Sequence, residues 1–224
     1  MRKRFFVFAF RFFFYLLYRR NLGRILFKVE PLEDLAHTPL PVLLLANHSS
    51  WWDGILMIIL CEKLMPHHQI KLTMLKKEWQ KRKWMSYFGA LPIDPKSPGQ
   101  LLGFFKHLKF KRTQSSQFCL IYFFEGKMAG PGKTLTAAKR GTDLLVQQIA
   151  PVTVIPVSLT FDIRYRSKPT AFICVGAPSN ISSPKELDAI YAKTGRLIQQ
   201  TVQEATEAQE YIETLYSRGW KDLW

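Results

Sequence analysis

Residues 42–54 read Val42-Leu43-Leu44-Leu45-Ala46-Asn47-His48-Ser49-Ser50-Trp51-Trp52-Asp53-Gly54, and the apolar run Ile55-Leu56-Met57-Ile58-Ile59-Leu60 follows directly. Five apolar residues without a polar alternate are the pattern of a strand covered on both faces, as parallel strands are. Residues 47–53 are polar or aromatic, and the apolar run beyond them suits a helix. A buried strand that passes through a polar turn into a buried helix opens a βαβ unit, so this stretch points to an α/β fold.

Outward from it the alternation continues. Further strands are predicted over 70–75, 91–94, 118–124, 152–158 and 171–175, and helices over 54–64, 78–88, 99–112 and 135–150. The last helix has the clearest start. Ser183 and Glu186 bracket Pro184 with capping-box spacing, and Leu187, Ile190, Tyr191, Leu197, Ile198, Val202, Ala205 and Ile212 follow as an apolar stripe. With no internal repeat and no linker-like shift in composition, residues 29–224 read as one α/β domain, a central largely parallel or mixed sheet flanked by helices.

Residues 1–28 differ in kind: they hold eight basic side chains, no acidic one, and nine aromatic residues between Phe5 and Tyr18. That apolar run spans about 14 residues and is broken by Arg11, whereas a membrane-spanning helix needs about 20. No small-residue cleavage site follows it, which argues against a signal peptide. An amphipathic helix in the membrane interface fits this composition, its aromatics among the acyl chains and its Arg and Lys at the head groups; a helix packed on the protein's own core is the alternative. The whole chain leans the same way, with 32 Lys and Arg against 17 Asp and Glu, a net charge of +15 that favours anionic partners. Its 47% apolar residues exclude the disordered and low-complexity classes. Cys61, Cys119 and Cys174 each lie in an apolar run and read as buried thiols of a protein in a reducing compartment, not as a disulfide framework or zinc site.

The candidate chemistry sits where the first strand becomes a helix. His48 and Asp53 are five residues apart, about 140° on a continuous helix, so only a turn brings them together. Folded so, the carboxylate would accept from one ring nitrogen and leave the other free to take a proton. The carboxyl end of a core strand is where α/β sheets place ligands.

Four blocks make the chain resemble the lysophospholipid and 1-acylglycerol-3-phosphate acyltransferase family. Asn47-His48-Ser49-Ser50-Trp51-Trp52-Asp53 matches its NHxxxxD block. Lys76-Lys77-Glu78-Trp79 and Gly89-Ala90-Leu91-Pro92-Ile93-Asp94 look like its second block. Phe123-Phe124-Glu125-Gly126 with Lys139-Arg140-Gly141 resembles the third, and Val154-Ile155-Pro156-Val157 the fourth. The resemblance implies a glycerolipid-acyltransferase fold and transfer of a fatty acyl chain from an acyl thioester to a hydroxyl of a lysolipid acceptor. The donor substrate would be acyl-CoA or acyl carrier protein, with no metal and no further cofactor. It makes His48 the general base and Asp53 its orienter, with Asn47, Lys76, Glu125, Gly126, Lys127, Lys139 and Arg140 as substrate-binding candidates. Backbone N–H groups near Gly126 are candidates for the oxyanion, since a residue without Cβ permits close approach. No G-x-S-x-G elbow accompanies Ser49 or Ser50, so direct transfer is expected over an acyl-enzyme. The expected setting is peripheral or monotopic, on an anionic membrane surface at its cytoplasmic face.

Departures from the family pattern carry information too. Glu125-Gly126 is followed by Lys127-Met128 where the family has threonine and arginine, and Asp94 by Pro95-Lys96 where an arginine is usual. Both usual phosphate-binding arginines are therefore missing. Lys76, Lys96, Lys127, Lys133, Lys139 and Arg140 supply charge, but lysine lacks the bidentate fork. His67-His68 has no carboxylate or thiol at ligand spacing and is read as a surface loop rather than a metal site. The basic, Trp-containing run over residues 71–87 fits a membrane-facing surface; nucleic acid as its partner would leave the histidine and glutamate blocks without a role.

Overall fold

The computed structural model describes residues 2–29, 41–114, 117–126, 128–129, 141–163, 167–207 and 212–223. In chain order the elements are α1 (Arg2–Asn21), β1 (Arg24–Val29), β2 (Val42–Ala46), α2 (Asp53–Leu64), β3 (Gln69–Leu75), α3 (Lys76–Lys81), β4 (Ala90–Ile93), α4 (Pro98–Gln114), β5 (Phe118–Phe123), α5 (Gly141–Ile149), β6 (Val152–Asp162), β7 (Thr170–Val175), β8 (Ser179–Ile181), α6 (Leu187–Glu207), α7 (Ile212–Ser217) and β9 (Lys221–Asp222). Among the described residues they build one mixed sheet in the order β4-β3-β5-β2-β6-β7-β1-β9, with β8 paired to β6. The run from β4 to β6 is parallel, β6–β7 and β1–β9 are antiparallel, and β7–β1 is parallel again.

Strand β2 sits at the middle because it is apolar on both faces. Val42, Leu44 and Ala46 pack with Ile55 and Leu56 of α2 and with Phe14 and Tyr18 of α1. Leu43 and Leu45 point the other way, toward Leu108 of α4, Val146 of α5 and Ile190 of α6. Each buried leucine contributes about 1.5–3 kcal/mol of transfer free energy, so the strand is anchored from both layers. The helix after β2 covers one face and the helix after β5 covers the other. The carboxyl ends of β2 and β5 therefore form a switch point, where open α/β sheets place the crevice that binds ligands.

Several expectations need correction. The helix expected over 78–88 is interrupted: α3 ends at Lys81, and a 3-10 segment, Lys83–Phe88, closes on Gly89 at φ 86°. A Cβ there would meet the Ile70 carbonyl oxygen at 2.1 Å, so the tight return into β4 requires glycine. Strand β1 is an addition to the expected set; it begins within the segment 1–28 and pairs with β7 from Arg24 to Val29, so the boundary drawn at 28/29 falls inside a strand of the sheet. Helix α1 exists, but its described side chains are apolar on two sides, and it is not simply amphipathic. Phe14 and Tyr18 are buried while Phe12, Phe13 and Leu16 are exposed. The inner side packs because aromatic partners await it: Phe14 lies 5.5 Å from Trp84 and Tyr18 5.1 Å from Trp52, ring centre to centre. His68 is buried rather than looped out, and burial, with the neighbouring His67, pushes its imidazole below the ordinary range. The first part of the helix expected over 135–150 lies outside the described residues. The capping box is formed as expected, with Ser183 Oγ accepting from Lys185 N at 3.3 Å and Glu186 Oε1 from Ser183 N at 2.9 Å.

The two ends of the chain meet at Glu204 of α6. Its carboxylate takes Lys28 Nζ at 3.0 Å, Gln200 Nε2 at 2.8 Å and the indole N–H of Trp220 at 2.5 Å. Burial by itself would raise this carboxyl, but the three donors together hold it below its ordinary value. The folded value is then lower than the unfolded one, so the contribution to stability is full at pH 7 and is lost as pH falls below about 4.5 through the folded value. Urea unfolding of the protein and of Glu204→Gln at neutral and acid pH should show a stability gap that is widest at pH 7 and closes as pH falls.

Candidate active site

Asp53 is the first residue of α2 and is fully buried. Its Oδ2 accepts from three donors that precede it in the turn: His48 Nδ1 at 2.9 Å, Ser49 N at 2.6 Å and Ser50 N at 2.8 Å. Ser49 Oγ lies 3.4 Å from both carboxylate oxygens. Together with the positive end of α2, these donors compensate a charge that would otherwise be costly to bury. The carboxylate also fixes the imidazole: with Nδ1–H donating to Asp53, the lone pair falls on Nε2, and the His48 side chain remains 24% exposed to use it.

One group at the end of β5 and one two residues beyond it complete the seat. Phe123 stacks on the His48 ring at 4.4 Å and 18°, and Glu125 Oε2 accepts from the His48 backbone N–H at 3.2 Å. Glu125 is 2% exposed, so this carboxylate is part of the wall that carries His48. Asn47 faces β6, where its amide donates to Leu159 O at 2.8 Å and accepts from Leu159 N at 2.7 Å. The first residue after β2 is thereby stitched to one neighbouring strand and the second to the other. Ala129 N donates to the His48 carbonyl at 2.8 Å and closes the turn from above.

The remaining expected site residues separate. Gly126 takes φ 60°, which glycine accepts without strain, but its N–H already donates to Phe123 O at 3.1 Å, so this donor is committed to the turn and not free for an oxyanion. Lys76 follows β3, two strands from β2 and so about 10 Å away at sheet spacing, and its ammonium donates to Gln100 Oε1 at 2.8 Å. Lys127, Lys139 and Arg140, with Lys133, lie outside the described residues. Sequence reasoning missed the Phe123 stack and the approach of α1. Tyr18 of α1 lies against Trp52 of the turn, and burial chiefly, with the charge of Asp53 next, pushes its phenol well above the ordinary value. Along α2 from Asp53, a cavity of about 130 Å³ lies between α1, α2 and the 3-10 segment, lined by Phe14, Ile55, Ile58, Ile59, Trp84 and Phe88 among others. Among the described residues no cluster of three metal-ligating side chains occurs, and no helix is long and apolar enough to cross a membrane.

The acyltransferase family model matches residues 27–160, from β1 to the last part of β6, with the His48–Asp53 turn and Glu125 inside it. The chain belongs to the acyltransferase family. Among solved structures, the chain is similar to the 1-acyl-sn-glycerophosphate (LPA) acyltransferase PlsC from Thermotoga maritima. The TM-score is 0.53 at 19% identity over 80% of this chain and 72% of that one, a likeness of fold. No curated protein sequence matches the chain.

The two halves of the turn should fail differently. His48→Ala removes one of the three donors to Asp53 Oδ2 but leaves both backbone donors, so it should stay folded with a modestly lower unfolding midpoint and show no acyl transfer. Asn47→Ala leaves the Leu159 N–H and C=O unpaired, at about 1–3 kcal/mol for each buried group, so it should lower the unfolding midpoint clearly.

Proposed function

We propose that this acyltransferase moves a fatty acyl chain from an acyl thioester to a hydroxyl of a lysophospholipid or related lipid acceptor. The observation that carries the reading is the 2.9 Å contact of His48 Nδ1 with the buried Asp53 carboxylate, which leaves Nε2 as a base at the mouth of the crevice. Nε2 takes the proton of the acceptor hydroxyl as its oxygen attacks the thioester carbonyl carbon. The tetrahedral intermediate collapses with cleavage of the C–S bond, and the imidazolium returns the proton to the departing thiolate. The products are an ester and a free thiol. General-base help of this kind is typically worth 10²- to 10⁴-fold. The Phe123 ring holds the imidazole plane while its charge changes.

The rest of the reading follows the chemistry of the surfaces. Glu125, enclosed in the wall of the crevice, supports His48, while Lys76, Lys127, Lys139 and Arg140 receive the anionic parts of donor and acceptor, the donor being acyl-CoA or acyl carrier protein. The apolar cavity beside α2 suits an aliphatic chain. The protein works at the cytoplasmic face of a membrane with anionic lipid, peripherally or monotopically, in agreement with its net charge of +15. The test is thiol release from an acyl thioester in the presence of lysolipid, together with mass spectrometry of the lipid product, for the parent and for His48→Ala. Product from the parent alone supports the reading, and equal product from both sinks it. Asp53→Asn should lose most of the rate, because the amide can hold the wrong tautomer.

Acceptor choice divides into two readings. Likeness to the Thermotoga maritima protein, an LPA acyltransferase, favours lysophosphatidic acid. The absence of both motif arginines, with exposed Met128 and Lys96 in their neighbourhood, favours an acceptor that carries a sugar or other head group. We take the second. A side-by-side assay of one acyl thioester should give a higher kcat/KM for a head-group-bearing lysolipid. A preference of tenfold or more for lysophosphatidic acid, about 1.4 kcal/mol at the transition state, would overturn it.

A further inference from the structure

The outer side of the catalytic turn carries a pairing that acyl transfer does not use. Trp51 is 43% exposed, and the Arg82 guanidinium lies 5.8 Å from its ring centre. Arg82 follows the end of α3 and is braced by an ion pair with Glu78, which also pairs with Lys81. Residues 76–83 hold five basic side chains and that single acidic one, so the neighbourhood keeps a positive excess after the brace is counted.

Trp51 also ends a file of rings. Trp51 meets Trp52 at 5.0 Å, Trp52 meets Tyr18 at 5.1 Å, Tyr18 meets Phe14 at 6.3 Å and Phe14 meets Phe13 at 5.7 Å. The middle of the file is buried and fastens α1 to the catalytic turn; its two ends are exposed. At about 100° per residue, Phe12, Phe13, Leu16, Arg19 and Arg20 fall on the side of α1 away from Phe14 and Tyr18, and all five are exposed. Tyr87 of the 3-10 segment, which packs against α1 through Trp84, is exposed as well. Exposed large apolar side chains set among cations, with Trp and Tyr at the margin, are the composition of a surface that meets lipid head groups.

We propose that Trp51 and Arg82 form an interfacial lipid-phosphate site, the part of a bilayer-docking face that lies beside the active site. Its ligand is the phosphate of an anionic glycerophospholipid in the bilayer, held by the outer edge of the Arg82 guanidinium, with the Trp51 ring at head-group level and Phe12, Phe13 and Leu16 reaching the acyl region. Charge and apolar exposure coincide here, which selects an anionic bilayer over a neutral surface. The crevice that holds His48 then opens at the lipid surface, so an acceptor reaches the base without crossing water. The purpose of the site rests on the lipid-acyltransfer reading, but its binding does not depend on turnover.

The full-length protein should sediment with vesicles of phosphatidylglycerol and phosphatidylcholine better than with phosphatidylcholine alone. Arg82→Ala should weaken that partition about fivefold, the worth of one cation near an anionic surface. The double variant Phe13→Ser, Leu16→Ser should weaken it about tenfold or more through lost apolar insertion. Lipids brominated in the upper acyl chain should quench tryptophan emission, and Trp51→Phe should remove part of that quenching. Because these side chains are exposed or half-buried, unfolding midpoints should stay near the parent value. Unchanged partition in both Arg82→Ala and Trp51→Ala overturns the proposal. So does a double variant that converts a dimer to a monomer while vesicle binding persists, which would make the face a self-association surface. So does an Arg82→Ala effect confined to the KM of a water-soluble short-chain lysolipid, which would move the phosphate from bilayer to acceptor. Intact vesicle binding with no acyl transfer in the parent would defeat the acyltransfer reading and leave the docking site standing.

Discussion

A single carboxylate oxygen, Asp53 Oδ2, gathers the His48 imidazole and two backbone N–H groups into one turn, and the geometry of the site hangs from it. Asp53 has no solvent to fall back on, so each of these donors is held in place by the cost of leaving a buried charge unpaired. The same residue begins α2, where the helix dipole favours a negative charge. Strand exit, the His48–Asp53 turn and helix start are thus three consequences of one buried interaction. That is why an imidazole and a carboxylate only five residues apart can face each other, which neither a helix nor a strand would allow.

The turn is also held from both sides of the sheet. Asn47 reaches β6 through two hydrogen bonds to Leu159, and His48 reaches β5 through its backbone bond to Glu125 and its stack on Phe123. Because β2 lies between β5 and β6, these ties pull in opposite lateral directions and leave the imidazole little freedom to slide along the sheet. Two residues of the motif blocks expected to contact substrate therefore do mechanical work. Asn47 commits both its donor and its acceptor to backbone, and Glu125 is almost fully enclosed. A polar side chain within a motif block does not declare whether it faces substrate or scaffold; only the burial and the partner decide.

This marks how far the sequence was legible. The five-residue apolar run of β2, the capping box before α6 and the His-Asp spacing are local patterns, and local patterns translate directly into elements. Strand β1 was hidden because Arg24 and Lys28 give Arg24–Val29 the basic composition of the segment before it; its partner, β7, lies some 145 residues downstream. The return from the 3-10 segment into β4 depends on Gly89 passing close to the Ile70 carbonyl, a contact made by tertiary approach. The commitment of the Gly126 N–H to Phe123 is likewise invisible to a motif, since glycine announces permissiveness and not the partner that uses it.

Helix α1 resolves a conflict that the sequence left open. Its composition suited a membrane surface, and packing on the core was the competing reading; the exposure of its described side chains shows apolar groups turned both ways. Phe14 and Tyr18 are engaged by Trp84 and Trp52, so the helix is fixed to the domain. With its inner face packed on the His48–Asp53 turn, the helix has a fixed angle between its outer face and His48. The alternation of the turn itself repeats this division: Trp52 points inward to Tyr18, while Trp51, one residue earlier, points outward. Orientation of His48 relative to the outer face of α1 is therefore built into adjacent residues of the same turn.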